Sequence, residues 1–250
     1  MKKLFLLALI IILGVNLFAQ NDNTVTISGQ VTDFDGNSID SCWVALYHED
    51  FTTAYETISD ENGNYVLSGV EKGLYLCMYA LRLKEYPRAN AVPDEDMRLE
   101  FWAWNVIADK DLTINPRYHR LELYGTYAFK IYSGIMIYTR PMSTGKLLSY
   151  SKDVVMDKSL GEKVANISVK PEHFEVKVFA DEQPLKVNSI QPIEEFGGDE
   201  QMTITGYIIQ ADFPREKPGK PYVIIRVEAT NTEENEKGEN LFFYEIKEYK

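Results

Sequence analysis

The chain has 250 residues with a formal net charge of −12, and it is 45% hydrophobic and 12% aromatic. That acidic balance argues against nucleic acid and anionic lipid as partners, because both are held by clustered Lys and Arg. Three histidines and two cysteines leave little material for metal or thiol chemistry.

Residues 1–19 read as an export signal. Lys2 and Lys3 supply the positive start, Leu4 to Leu13 an almost unbroken apolar stretch, and Ala19 a small residue suited to signal peptidase. The stretch holds about 15 apolar residues, short of the roughly 20 that span a bilayer. Cleavage after Ala19 removes both lysines and moves the formal charge from −12 to −14. No later segment is long and apolar enough to span, so no membrane insertion is expected after cleavage. The expected location is the periplasm, the cell surface or the medium.

After the signal the apolar period is two rather than 3.6, the mark of half-buried strands. In residues 20–87 it shows at Val25/Ile27 and Val44/Leu46, with turns at Asp35-Gly36 and Asn62-Gly63. Asp33 and Gly36 bracket a turn in which Asp can bond its own backbone and Gly can take positive φ. Asp60 to Gly63 forms the next hairpin turn. Gly73, Tyr75, Cys77 and Tyr79 then fall on a common face.

The run Gly29-x-Val31-x-Asp33-x-x-Gly36-x-x-Ile39-x-x-Cys42-x-Val44-x-Leu46 resembles the opening of the carboxypeptidase regulatory-like domain, a transthyretin-like sandwich. Ser59-Asp60-x-x-Gly63-x-Tyr65-x-Leu67-x-x-Val70-x-x-Gly73-x-Tyr75 continues the pattern. The resemblance implies a non-catalytic module of the kind appended to peptidases, adhesive or glycan-handling proteins and outer-membrane transporters. Where that family carries plain apolar residues, this chain has Cys42 and Cys77 on what reads as the core face. An even cysteine count in an exported chain permits a disulfide between them. Two buried free thiols are the alternative.

Pro87–Arg98 breaks the alternation with Pro and charge, so residues 88–98 read as a linker and 99–250 as a second domain. Strands are expected over 99–107, 110–115, 119–131, 134–140, 162–169, 173–180, 185–191, 201–212, 221–230 and 240–248. Further turns fall at Gly197-Gly198 and Pro218-Gly219. Short strands at that spacing predict an antiparallel, Ig-like sandwich. The fold expected for the whole is therefore all-β, two antiparallel β-sandwich domains behind a cleaved signal peptide.

The chain lacks a His-Glu-x-x-His zinc motif, a Gly-x-Ser-x-Gly elbow, a phosphate loop and a dinucleotide fingerprint. No catalytic residue, cofactor or metal ligand set is predicted, and no Cys–Cys zinc site, since no second ligand pair has the right spacing. Paired carboxylates for glycoside hydrolysis depend on a separation that sequence does not show. On a strand, Trp102 and Trp104 share one face, opposite Leu99, Phe101 and Ala103. They are the candidate ligand platform, on which a sugar ring could stack; burial between sheets is the other reading. The function expected is a non-enzymatic, exported accessory protein acting through its sandwich surfaces as a structural, adhesive or cell-envelope complex component, its partner an envelope protein, or, alternatively, a carbohydrate-binding protein with a glycan at Trp102/Trp104.

Overall fold

The computed structural model describes residues 23–87, 92–196, 202–213 and 221–246. The expected signal at 1–19, the start of the 88–98 linker and the Gly197-Gly198 and Pro218-Gly219 turns lie outside these residues. The fold is all-β. Its strands are β1 (Thr24–Gln30), β2 (Trp43–Tyr47), β3 (Thr53–Ile58), β4 (Asn64–Glu71), β5 (Gly73–Leu81), β6 (Phe101–Ala108), β7 (Leu112–Thr113) and β8 (Leu121–Ile131). They continue with β9 (Gly134–Ser143), β10 (Phe174–Ala180), β11 (Gln183–Leu185), β12 (Val187–Phe196), β13 (Thr203–Ala211), β14 (Tyr222–Asn231) and β15 (Glu236–Glu245). Among the described residues three short α-helices, α1 (Thr144–Leu148), α2 (Lys152–Met156) and α3 (Lys158–Val164), interrupt them.

These strands form three sheets. The largest has eight strands in the order β11-β10-β14-β15-β6-β5-β2-β3; the others run β4-β1-β7 and β12-β13-β9-β8. The three-stranded sheet packs Val25, Ile27 and Leu67 against Val44, Met78, Phe101, Ala103 and Phe243 of the large sheet. The four-stranded sheet packs Ile135, Ile137 and Ile209 against Val223, Ile225, Val227 and Phe242. Neighbouring residues of β14 and β15 thus enter different cores, which puts the two smaller sheets on opposite faces of the large one. Phe242 and Phe243 are both buried for this reason, and Leu241 to Tyr244 of β15 read as a continuous apolar run rather than an alternation.

The expected linker therefore does not separate two independent sandwiches. Its described part, 92–98, contains a 3-10 turn at Asp94–Asp96. Beyond it, β6 pairs antiparallel with β5, and β15 then pairs parallel with β6. The N-terminal core also takes in Leu112, Ile114 and Tyr118. Pro and charge mark a surface crossing here; the backbone hydrogen bonds on its far side carry on the same sheet.

The turns follow their sequence signatures. Asp33 accepts from the backbone N–H of Asp35 and of Asn37, each at 2.9 Å. Asp60 accepts likewise from Asn62 and Asn64. Gly63 takes φ +75°, with the Val31 carbonyl oxygen where a Cβ would otherwise stand.

Two strand expectations change. Residues 158–164, partly expected as strand 162–169, form α3, and Ser168 keeps only a bridge to Met142. Asp157 caps α3 by accepting from the Leu160 N–H, and the helices close over Leu147, Val154, Val155 and Ala165. Helices of five to seven residues are too short to show a 3.6 period. The 110–115 strand shrinks to Leu112–Thr113, parallel to β1.

Of the two readings left open for Cys42 and Cys77, a bridge or free thiols, the structure has the second: both cysteines are free and buried. Cys77 lies opposite Tyr47 in the β2–β5 ladder, five residues along from Cys42. At the strand rise that is about 17 Å, against the roughly 4.4–6.8 Å between Cα atoms that a disulfide needs. They also face opposite ways, Cys42 into the core with Val44 and Leu46, Cys77 beside Trp104. Burial pushes both thiols up to about 12. Alkylation with iodoacetamide should accordingly leave the native protein unmodified and label both residues after unfolding without reductant, as read by mass spectrometry. A single unlabelled pair after unfolding would contradict this placement.

Candidate functional site

The site grows from two strand irregularities. In β6, Phe101 and Ala103 enter the N-terminal core, and so do Val106 and Ala108. Asn105, at φ +56°, resets the alternation between them. Trp102 and Trp104 are thereby directed to the other face of the large sheet. In β8, Gly125 at φ +67° forms a bulge between Tyr124 and Tyr127. Up to the bulge Leu121 and Leu123 face the second core, and Glu122 and Tyr124 face away from it, opposite Met142 and Arg140 of β9. Past the bulge Thr126 turns inward, where its hydroxyl lies 3.0 Å from that of Thr139.

The structure does bring Trp102 and Trp104 together, with centroids 5.0 Å apart and planes at 14°. They do not form an open platform. Tyr79 flanks Trp102 at 4.4 Å, and Trp43 extends the row at 5.9 Å from Tyr79. The Trp102 indole N–H donates to Glu122 Oε1 at 3.3 Å. The backbone N–H of Trp102 donates to the buried Asn240 side chain. Both indoles are half-buried. Trp104 also lines an apolar hollow of about 270 Å³ with Tyr75, Tyr127 and Phe242.

Beside this aromatic row opens a larger cleft, of about 600 Å³. Its floor comes from the chain just before β6 (Glu100) and from β8 and β9 (Glu122, Tyr124, Arg140), its wall from α1 and α3. Glu100 and Glu122 are buried and share a side-chain hydrogen bond. Burial raises the Glu100 carboxyl well above the ordinary range, and the neighbouring Glu122 raises it further. Burial also lifts Glu122, to about 7, against the opposing pull of its Trp102 hydrogen bond and the Arg140 charge. Two carboxylates in contact cannot both ionise in a low dielectric, so the pair retains a proton at neutral pH. The Tyr86 hydroxyl lies 3.4 Å from Glu100.

Arg140 Nη1 is 3.5 Å from Glu195, and its guanidinium sits 4.7 Å from the Tyr124 ring centroid. Tyr124 keeps 41% of its surface and Phe196, at the rim, 79%. Three buried polar atoms on the lining, Glu100 Oε2, Thr144 Oγ1 and Arg140 Nε, find no hydrogen-bond partner among the described residues, beyond the proton the acid pair shares. Each such atom costs about 1–3 kcal/mol if nothing serves it.

Carboxyls in hydrogen-bond contact are closer than the roughly 5 Å of a retaining glycosidase and far short of the spacing that admits water in an inverting one. The pair therefore has neither of the two glycosidase spacings. The histidines lie apart: His48 stacks on Tyr75, and His173 bonds Thr232. Among the described residues no group of three His, Cys, Asp or Glu is placed to hold a metal, and no helix is long and apolar enough to cross a membrane.

Sequence reasoning found the tryptophans and missed the acids beside them. A signal was present: Glu100 stands between Leu99 and Phe101, and Glu122 between Leu121 and Leu123. A carboxylate inside an apolar run is buried with a partner or for a ligand.

No protein-family model matches the chain, and no curated protein matches it. Among solved structures, a DUF3823 family protein from Bacteroides ovatus is 11% identical over 90% of this chain and 100% of that one, at a TM-score of 0.29. A candidate carbohydrate binding protein from Bacteroides uniformis is 11% identical over 89% and 99%, also at 0.29. The major pilin subunit of Bacillus cereus is 10% identical over 88% and 69%, at 0.26. Superpositions this loose transfer no function, and the reading of the site rests on the geometry of the chain itself.

Proposed function

We propose that this is a non-enzymatic, exported accessory protein of the cell envelope that binds its partner in the cleft at Glu100, Glu122 and Tyr124. The observation that carries this reading is the cleft itself. It is open and preformed, its polar groups are buried with atoms left to serve, and its acid pair is closer than either glycosidase spacing. The signal-like residues 1–19 support export, and the resemblance of the first module to the carboxypeptidase regulatory-like domain supports the accessory role. In the alternative reading the partner is a glycan held on Trp102/Trp104. The stacking of those rings on each other and on Tyr79 favours the neighbouring cleft instead.

A photo-crosslinking residue in place of Tyr124 should capture an envelope component in intact cells. The same residue in place of Tyr132, fully exposed between β8 and β9, should not. Identical capture at both positions would overturn the reading.

A further inference from the structure

We infer that the cleft binds an uncharged, hydroxyl-rich ring, a neutral carbohydrate of one to three units, read by Glu100, Glu122, Thr144 and Arg140 and stacked on Tyr124. This rests on the cleft being the binding site and assigns its ligand class. The volume of about 600 Å³ suits a ligand of that size.

Charge decides between ligand classes. The basic groups on the lining already have a counter-charge within the protein. Arg140 faces Glu195 at 3.5 Å, Lys158 faces Glu162 at 3.7 Å, and the two central carboxyls face each other. At most one charge remains, shared by the buried acid pair, and no unpaired cation is left to select an anion. What remains are single buried hydrogen-bonding atoms, two of them on residues that are themselves buried. Thr144, 1% exposed, presents an unpartnered hydroxyl; Glu100, 7% exposed, a carboxyl oxygen served only by the proton it shares with Glu122; the half-buried Arg140, its Nε as a donor. A sugar hydroxyl is both donor and acceptor and can serve each of them. Beside this polar floor Tyr124 holds a partly open ring against the Arg140 guanidinium, an apolar flank for the C–H face of a sugar.

The test is isothermal titration calorimetry of the purified chain with the neutral trisaccharides maltotriose, cellotriose, mannotriose, xylotriose and chitotriose, and with trigalacturonate and trilysine as charged probes. Saturable binding of at least one neutral trisaccharide is expected. It should weaken tenfold or more in both Thr144→Val and Tyr124→Ala and stay unchanged in Tyr132→Ala, with circular dichroism confirming that each variant folds. Thr144→Val keeps the side-chain shape, so its loss reports the hydroxyl alone. Binding of a charged probe only, neutral binding that survives both variants, or no binding across the panel would each overturn the inference. Hydrolysis of a bound trisaccharide would leave the ligand class standing and overturn the non-enzymatic reading. A crosslinked partner at position 124 with no saccharide binding would overturn only the carbohydrate assignment.

Discussion

Trp102→Ala should lower the stability of the fold by about 3 kcal/mol, the low end of the range for removing a packed tryptophan. The indole fills space between Tyr79 and Trp104, and its N–H serves a buried carboxyl. Truncation removes both ring contacts and leaves Glu122 one donor short, a second cost that an exposed platform residue would not incur. The ring is half-buried rather than fully enclosed, which holds the loss below that of a central core tryptophan. Urea denaturation with an unchanged slope is the measurement, since the midpoint then reports stability alone. A loss below about 1 kcal/mol, the usual scale of surface substitutions, would return Trp102 to the role of an open ligand platform. Because the substitution also disturbs Glu122, Tyr124→Ala and Thr144→Val are the cleaner probes of binding.

Stability should fall as pH rises from about 5 to 8, against the common expectation for a protein this rich in acid. The Glu122 carboxyl is held near 7 by burial, above its ordinary 4.5. The folded state thus binds the proton more tightly than the unfolded chain does. The contribution is fully present below the unfolded value and is lost as pH rises through about 7. A shift of that size corresponds to about 3 kcal/mol between the two ends of the window. Glu100, Glu236 and Glu239 are raised in the same direction, burial being the largest cause for each. Asp33 and Asp60 shift the other way, so their contribution is lost only in acid, below this window. Urea midpoints at unit pH steps should therefore decline from pH 5 to 8, and Glu122→Gln should flatten much of the decline. A midpoint that rises across the window would mean that the pair is ionised and otherwise compensated.

Much of the fold was legible because its rules are local. Asp33 and Asp60 bond backbone groups two and four residues on, and a turn of that kind needs nothing from the rest of the chain. Alternation located β8, β9, β10, β13 and β14 to within a few residues, because one buried face imposes a period of two. The strands that misled were those covered on both faces. Along β5 and at Leu241 to Tyr244 of β15 the apolar residues run on, and no alternation says which way Cys77 or Phe242 points. At Asn105 and Gly125 the backbone itself resets the count, and a sequence pattern carries no sign of the reset.

The chain by itself determined an all-β protein, its turns, an aromatic segment at Trp102 and Trp104 and an acidic character. Each depends on residues within a few positions of one another. Tertiary structure alone decided that the two halves share one eight-stranded sheet and that the cysteines stand apart. It also decided that Glu100 and Glu122 meet in a cleft walled by short helices. Those outcomes depend on pairings such as β15 with β6, between residues about 140 apart in sequence. The Trp102–Trp104 segment kept its importance and changed its role, from a candidate surface for a ligand to the packed support of the cleft beside it.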